Sequence, residues 1–282
     1  MYRVGPLCIR PESWPARWIG CADSWLDTAA TRADDTVTVA VQCDAAAAGA
    51  PMVAMSLQEL LTVIRCGSGA WELRGRGQFL ARYDEDNRRM DLHLASNDED
   101  PVLVLGNVLR GLTATMLPTR HDGLMIHACA GIRDGAGVLV AGVSTAGKST
   151  LALGFERTEY LSDDVALVSG IHGAPMLEPS PFFGAAGRRG PELRAPLRAI
   201  GILVDKVLGP VERSSYQCVP RARAAAELLR HVARFTSDRQ LSDRLLELTV
   251  ALAERVQVVL VKRSLQDRSD DVVATILREA GC

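Results

Sequence analysis

The sequence has 282 residues, of which 48% are hydrophobic and 23% charged, a composition typical of a globular protein and not of a wholly disordered chain. Its 32 basic and 34 acidic residues nearly cancel, so no overall charge attracts the chain to nucleic acid or to an anionic membrane. The seven cysteines are scattered and form no CxxC pair, which argues against a zinc ribbon and favours reduced thiols. Without a signal peptide or a run of roughly 18 apolar residues, we expect a cytoplasmic protein that uses no membrane.

The first 100 residues are predicted to form a mostly-β region. Residues 36–42 and 90–94 alternate between apolar and polar side chains, as half-buried strands do. Residues 71–82 carry scattered glycines and predict one or two strands. Residues 56–66 are expected to form a short helix. We find no motif that carries chemistry in this region.

Four aromatic residues near the N-terminus allow two interpretations. They could dock a peptide, or they could belong to the core, which is the commoner role of such side chains. The four are Tyr2, Trp14, Trp18 and Trp25.

Residues 101–282 are predicted to form a second, α/β domain. Residues 101–116 place apolar side chains at spacings of three and four, which predicts an amphipathic helix that starts at a proline. Apolar runs typical of buried strands then alternate with helical patterns. We expect strands at 124–131, 137–141, 165–169, 199–204 and 256–261, and helices at 148–155, 221–235, 241–255 and 270–279.

Residues 142–149 read GVSTAGKS and fit the pattern G-x-x-x-x-G-K-[ST] between a predicted strand and a predicted helix. Glycines let the backbone curl so that successive N–H groups face a phosphate, and the lysine neutralises phosphate charge. The alternative is a glycine-rich turn before a helix. We expect a nucleotide-phosphate site here, formed by Gly142, Ser144, Thr145, Ala146, Gly147, Lys148, Ser149 and Thr150.

The distance in sequence between the loop lysine and the acidic pair that follows it distinguishes classes of phosphate-loop protein. Asp163 and Asp164 follow Lys148 by 15 and 16 residues, whereas most such ATPases place their metal-binding aspartate many tens of residues later. No LSGGQ-like signature follows, and no apolar strand ends in Asp-Glu. Transporter-type ATPases are therefore disfavoured.

Three stretches together resemble a known family. They are HACA at 127–130, the loop at 142–150 and YLSDD at 160–164. They resemble the HPr serine kinase/phosphorylases and, more closely, HPr-kinase-related proteins, some of which lie beside lasso-peptide genes and phosphorylate the precursor peptide. The resemblance spans about residues 100–282. It implies a P-loop kinase core related to phosphoenolpyruvate carboxykinase, with ATP and Mg²⁺ as cofactors.

The resemblance also implies roles for single residues. Asp163 would act as the base on a serine hydroxyl, and Asp164 would contact Mg²⁺ or Lys148. The hydroxyl of Ser149 in the loop can also ligate Mg²⁺. His127 would assist near the transferred phosphate. Adjacent strand residues point to opposite faces, so the two carboxylates need different roles. The alternatives are a solvated turn for the acidic pair and a hydrogen-bonded core histidine for His127.

The chain departs from the family after residue 177. The segment that bifunctional HPr enzymes use for dephosphorylation is not recognisable at 178–184, which begins with Glu178. We therefore expect kinase activity without phosphorylase activity. Arg188 and Arg189 could form a lid over a phosphate or could be solvated loop residues, and Lys206 could reach the nucleotide or lie on the surface.

These observations predict a Mg-ATP-dependent serine kinase. Its expected partner is a peptide or small protein, with a lasso-type precursor peptide as the leading case, and neither nucleic acid nor membrane. Homo-oligomerisation stays open. Two alternatives remain, a kinase of a small-molecule hydroxyl and a nucleotide-binding regulator with little turnover.

Overall fold

The structure is a computed structural model that describes residues 1–25, 27–28, 36–43, 61–75, 78–95, 100–182, 184, 193–204, 213–264 and 266–281. The chain divides into two compact units. Unit 1 contains Met1–Met116 and Arg234–Ser242, and unit 2 contains Leu117–Ala233 and Asp243–Cys282. The described residues form two sheets and six helices, which confirms a mixed α/β protein.

Unit 1 is built on an eight-stranded sheet with the strand order β3-β1-β2-β4-β8-β7-β6-β5. The pairs β2–β4 and β4–β8 are parallel, and the other pairs are antiparallel. The strands predicted at 36–42 and 90–94 are confirmed, and the 71–82 segment forms parts of two strands. The elements are β1 (Tyr2–Val4), β2 (Leu7–Glu12), α1 (Ala16–Trp25), β3 (Asp27–Thr28), β4 (Thr36–Cys43), β5 (Thr62–Arg65), β6 (Ala70–Gly75), β7 (Phe79–Asp84), β8 (Arg89–Leu94) and α2 (Pro101–Arg120).

The aromatic residues at the start of the chain belong to the core of unit 1. Tyr2, Trp14 and Trp18 are buried. The rings of Tyr2 and Trp14 stack at 5.9 Å, and Trp18 meets Trp14 edge-on at 6.3 Å. The indole N–H of Trp14 donates to the carbonyl of Val39 at 2.7 Å, so these side chains are not offered to a peptide. The side chain of Trp25 lies outside the described residues.

The prediction of a helix at 56–66 is wrong for the residues that the structure describes. Residues 62–65 form strand β5, which pairs antiparallel with β6, with Thr62 opposite Arg74. The segment TVIR contains three β-branched residues, which fit a pleated surface better than a helix. Residues 56–60 lie outside the described part of the chain.

Helix α2 is longer than its predicted 101–116 and ends at Arg120. By length and composition it could cross a membrane, since an 18-residue window has a mean hydropathy of 1.3. However, 78% of that window is buried inside the protein. The core helices of globular proteins pass the same test, so the helix is weak evidence for a membrane span.

Unit 2 is built on a nine-stranded sheet whose main path is β12-β10-β11-β15-β14-β13-β9, with β17 pairing β15 and β16. Strand β11 contains the apolar run GVLVA at 137–141. The strand is buried because both faces of this part of the sheet are covered. The elements are β9 (Leu124–Ile126), β10 (Ala128–Arg133), β11 (Ala136–Gly142), α3 (Lys148–Leu153), β12 (Glu159–Ser162), β13 (Ala166–Ser169), β14 (Met176–Glu178), β15 (Ala195–Leu203), β16 (Ser215–Cys218), α4 (Arg221–Leu229), α5 (Arg239–Arg255), β17 (Gln257–Lys262) and α6 (Ser269–Glu279).

Two predicted elements of unit 2 differ in the structure. The single strand expected at 124–131 is two strands, because the chain changes pairing partners at His127, from β13 to β11 and β12. The helix expected at 221–235 ends at Leu229, and its continuation returns to the sheet instead. There the N–H of Ala233 donates to the carbonyl of Met125 at 2.8 Å.

Candidate active site

The strand ends of unit 2 bring distant parts of the chain to one edge of the sheet. Strand β10 runs antiparallel to β11, so Ala128 at its start lies opposite Ala141 at the end of β11. Strands β15 and β17 run parallel to β11, and their ends continue the same edge, with Leu203 paired to Gly142 and to Val261. In parallel sheets this carboxyl edge is the usual place for a ligand site.

The loop after β11 has an alternating backbone conformation. Thr145 has a φ of 75° and Gly147 a φ of 97°, whereas Ala146 between them does not have a positive φ. Alternation of this kind turns successive N–H groups toward one concave side, which suits an anion. A side chain at Gly147 would meet open space, so the glycine is needed there for its conformation and not for its size.

Lys148 begins helix α3 and folds back over this loop. The side chain is buried, and its Nζ donates to the carbonyls of Gly142 at 2.7 Å and Val143 at 3.0 Å. An ammonium has three protons, so one remains for a further acceptor. Burial lowers the pKa of Lys148, while its electrostatic interactions with Cys129 and Asp164 oppose that shift. Lys148 and Asp164 are therefore electrostatic neighbours in this structure.

Asp163 and Asp164 follow β12, whose end lies beside the start of β10, with Ser162 opposite Ala130. The hydroxyl of Ser162 shapes the turn that carries both carboxylates. It accepts from the N–H groups of Asp164 at 3.3 Å and Val165 at 3.1 Å. The acidic pair thus lies in a turn between strands β12 and β13.

The two carboxylates have different environments. Asp163 is 1% exposed, and its Oδ1 accepts from the Tyr160 hydroxyl at 2.9 Å and from the Gly184 N–H at 2.8 Å. The Asp164 side chain is 24% exposed, and its Oδ1 lies 3.3 Å from His127 Nδ1. The buried carboxylate is held in one orientation, whereas the other is open to solvent and to a ligand.

His127 is tied to Asp164 through the backbone as well. Its Nδ1 lies 2.9 Å from the Asp164 carbonyl oxygen, and the N–H of Ala128 also donates to that oxygen, at 3.1 Å. A carbonyl only accepts, so Nδ1 carries the proton and Nε2 of the neutral ring is left to accept. The ring is exposed enough for a ligand to reach it.

Sequence reasoning missed His231, which lies beside His127. The carbonyl of His231 accepts from the N–H of His127 at 2.7 Å. Burial lowers the pKa of His231 to about 4, and the charges of Lys148 and His127 add to that shift. His231 therefore places a neutral imidazole beside the loop. Its helical surroundings in the sequence give no signal of this position, which depends on the chain returning to the sheet at 231–233.

Sequence reasoning also missed Arg263, which follows β17. Its Nη1 donates to the carbonyl of Gly147 at 3.5 Å and its Nη2 to the hydroxyl of Ser269 at 3.2 Å. A signal was available here. The strand at 256–261 was predicted, and a cation directly after a parallel strand reaches the same edge as the loop.

The remaining predicted residues divide between the described and undescribed parts of the chain. Arg188, Arg189 and Lys206 lie outside the described residues, so the lid and nucleotide-contact hypotheses stay predictions. Glu178 is buried and accepts from the Ser169 hydroxyl at 2.6 Å, within the β13–β14 pair.

The donor set near Lys148 suits Mg²⁺ bound together with a phosphate. Among the described residues, no group of three or more His, Cys, Asp or Glu side chains could hold a metal by itself. Mg²⁺ usually needs only one or two carboxylates in addition to substrate phosphates. The half-buried Ser149 and the partly exposed carboxylate of Asp164 are the residues that would serve.

Comparison with known proteins adds little to this geometry. No family model matches the chain, and no curated protein matches it. Among solved structures, it is similar to the Hpr(Ser) kinase/phosphatase from Coxiella burnetii, with 13% identity, 55% of this chain and 94% of that chain covered, and a TM-score of 0.30. A similarity of this size is distant and carries no functional conclusion.

Proposed function

We propose that this chain transfers the γ-phosphate of ATP to a serine-type hydroxyl of a peptide or small protein. One observation carries the proposal: the lysine-containing loop at 142–149 and the acidic turn at 163–164 lie at the same edge of one sheet, with Lys148 and Asp164 as electrostatic neighbours. A cation beside an anion-binding loop receives phosphates, and a nearby carboxylate can take a proton from an attacking hydroxyl.

The phosphate side of the proposed reaction relies on the loop and its lysine. The loop N–H groups would bind phosphate oxygens, and Lys148 would exchange a carbonyl contact for a phosphate oxygen or add one with its third proton. Ser149 and Asp164 would hold Mg²⁺. When bound, that ion neutralises charge on the phosphates.

The acceptor side relies on Asp163. The Tyr160 hydroxyl and the Gly184 N–H fix its carboxylate, so it can orient a hydroxyl without first having to rearrange. The acceptor oxygen bonds to the γ-phosphorus as the bond to the bridging oxygen breaks. ADP leaves, and the hydroxyl proton passes to Asp163. His127, anchored through Nδ1, would present Nε2 close to the transferred group.

The leading acceptor is a ribosomally made precursor peptide of the lasso type, supported by the resemblance of the motifs at 127–130, 142–150 and 160–164 to kinases of that kind. Such a reaction would draw on cytoplasmic ATP. No contact among the described residues selects this acceptor over another serine peptide.

The test is a transfer assay with ATP labelled in the γ-phosphate, Mg²⁺ and two acceptor panels, one of serine-containing peptides and one of small hydroxyl compounds. We expect label on a peptide serine, lost in Asp163→Asn and retained in Asp134→Asn. Asp134 is a matched control because it is 93% exposed in the turn between β10 and β11. Label only on a small compound would move the function to a small-molecule kinase. Nucleotide binding without transfer to either panel would identify a regulator.

A further inference from the structure

Arg263 contacts the C-terminal end of the 142–149 loop. Directly after β17, its guanidinium donates to the carbonyl of Gly147 through Nη1 and to the hydroxyl of Ser269, the first residue of α6, through Nη2. Its Nε is buried and has no hydrogen-bond partner. This half-buried arginine thus contacts Gly147, which precedes helix α3, and Ser269, which begins helix α6.

Two cations therefore hold the two ends of the loop. Lys148 binds the carbonyls of Gly142 and Val143 at the start, and Arg263 binds the carbonyl of Gly147 at the end. In a planar trans peptide the C=O and the following N–H point in opposite directions. The N–H of Leu151 donates to the Gly147 carbonyl at 2.9 Å as the first backbone bond of α3, and Arg263 adds a second contact to that carbonyl at 3.5 Å. The N–H of Lys148 therefore points the other way, out of the start of α3.

The positive charge of Arg263 lies beside the loop and is partly offset by the carboxylate of Asp267. That carboxylate accepts from the N–H of Ser214 at 3.1 Å, and among the described residues no ion pair joins it to the guanidinium. Burial lowers the pKa of Arg263, yet an arginine keeps its proton at physiological pH. A desolvated positive charge behind an anion-binding loop adds to the attraction for phosphate.

We propose that Arg263 is a positioning residue of the phosphate loop, which supports the Gly147 peptide alongside the backbone bond of α3 and adds positive charge, so that polyphosphate affinity depends on it. The inference rests on the proposed nucleotide site. It concerns a residue that neither the loop motif nor the acidic pair includes.

The experiment measures displacement of a fluorescent ATP analogue by ATP, inorganic pyrophosphate and adenosine. Arg263→Gln keeps a hydrogen-bonding amide and removes the charge, and Arg263→Lys keeps the charge and loses the planar fork. Ser269→Ala removes only the second anchor. Arg268→Gln is the control, because Arg268 is exposed and pairs with Glu156. Thermal unfolding without ligand reports whether each variant folds.

We expect Arg263→Gln to weaken ATP and pyrophosphate about tenfold or more, the effect of losing one interaction with a charged group, and to leave adenosine unchanged. Arg263→Lys should recover part of the loss, Ser269→Ala should lose less, and Arg268→Gln should match wild type. Equal weakening of all three ligands, or no weakening, would overturn the inference while the nucleotide site stands. If wild type bound neither ATP nor pyrophosphate, both the inference and the proposed function would fail.

Discussion

The two units use charged side chains in opposite ways. On the sheet of unit 1 the charged residues pair with one another, both within a strand and between strands. Glu72, which is nearly buried, accepts from Arg74 at 2.6 Å and Arg82 at 3.5 Å, and Arg89 pairs with Glu12 and Asp91. At the sheet edge of unit 2, the charged groups instead bind backbone and hydroxyl groups. Lys148 and Arg263 donate to carbonyls, and Asp163 accepts from an N–H and a tyrosine hydroxyl.

This difference separates structural charges from charges that are available for chemistry. An ion pair neutralises both partners, so the pairs of unit 1 can stabilise strand register but offer little to a ligand. A cation held by carbonyls keeps its full charge while its position is fixed. Such a group meets an anionic ligand without paying for reorganisation, as preorganised sites require. The contrast predicts larger functional effects in unit 2 and small structural effects in unit 1.

The largest effect is expected from Asp163→Asn. Asparagine can keep both contacts of Oδ1, with Tyr160 and with the Gly184 N–H, but cannot take the hydroxyl proton. Phosphoryl transfer should fall by about 10²- to 10⁴-fold, the usual contribution of a general base, while ATP affinity stays within about twofold. Single-turnover transfer and ATP titration measure the two quantities. An unchanged transfer rate would remove Asp163 from the base role and leave Asp164 as the candidate.

Lys148→Ala should act on nucleotide affinity. The substitution removes the charge nearest the loop and releases the carbonyls of Gly142 and Val143. We expect ATP binding to weaken by roughly 10- to 100-fold, as for a lost hydrogen bond to a charged group. Lys262→Ala is the matched control, since this lysine ends β17 and has no contact with the loop among the described hydrogen bonds. If both variants bound ATP equally, the claim that the charges of unit 2 are available to a ligand would lose its main support.

His231→Gln should change how stability depends on pH. Burial holds the pKa of His231 at about 4, against 6.5 in an unfolded chain. Between these values the unfolded chain binds a proton that the folded chain does not, so stability falls as the pH falls from about 6.5 toward 4. The contribution is about 3 kcal/mol at 1.36 kcal/mol per unit. Thermal unfolding from pH 7.5 to 5 should show a shallower decline in the variant, and parallel declines would place the histidine in a more polar setting.

The smallest effect is expected in unit 1, from Glu72→Gln. The change removes a charge between Arg74 and Arg82, both of which remain accessible to water. We expect a loss of stability of about 1 kcal/mol or less, with no change in ATP affinity. Denaturation and ATP titration of the same sample test both parts. Weakened ATP binding would show that unit 1 charges also serve the site.

Some of this structure follows from local sequence. The buried strand at 137–141 is an uninterrupted apolar run, and the loop after it has glycines and a lysine at fixed spacing, so both can be predicted without tertiary information. Strand β16 could not be predicted in this way, because its residues are largely exposed and it forms only by pairing with β17. The division of residues 124–131 into two strands at His127 could not be predicted either, since it depends on which strands pair.

The candidate site shows the same division. The sequence spacing places Lys148, Asp163 and Asp164 close together in the chain. The contributions of His231 and Arg263 depend on the order of strands in the sheet and on where the chain after α4 returns, neither of which local periodicity encodes. The distinction between a fixed, buried Asp163 and a more open Asp164 arises from the Ser162 hydroxyl and the Gly184 N–H, which only the fold brings to the acidic turn.

Calorimetric titration of Mg²⁺ and ATP into wild type and Lys148→Ala tests the central claim most directly, because it requires no knowledge of the acceptor. Saturable binding at one site in wild type, strongly weakened in the variant while its unfolding temperature is preserved, is the result we predict. Absence of binding in wild type, or equal binding by both proteins, would contradict the assignment of this sheet edge as a nucleotide site.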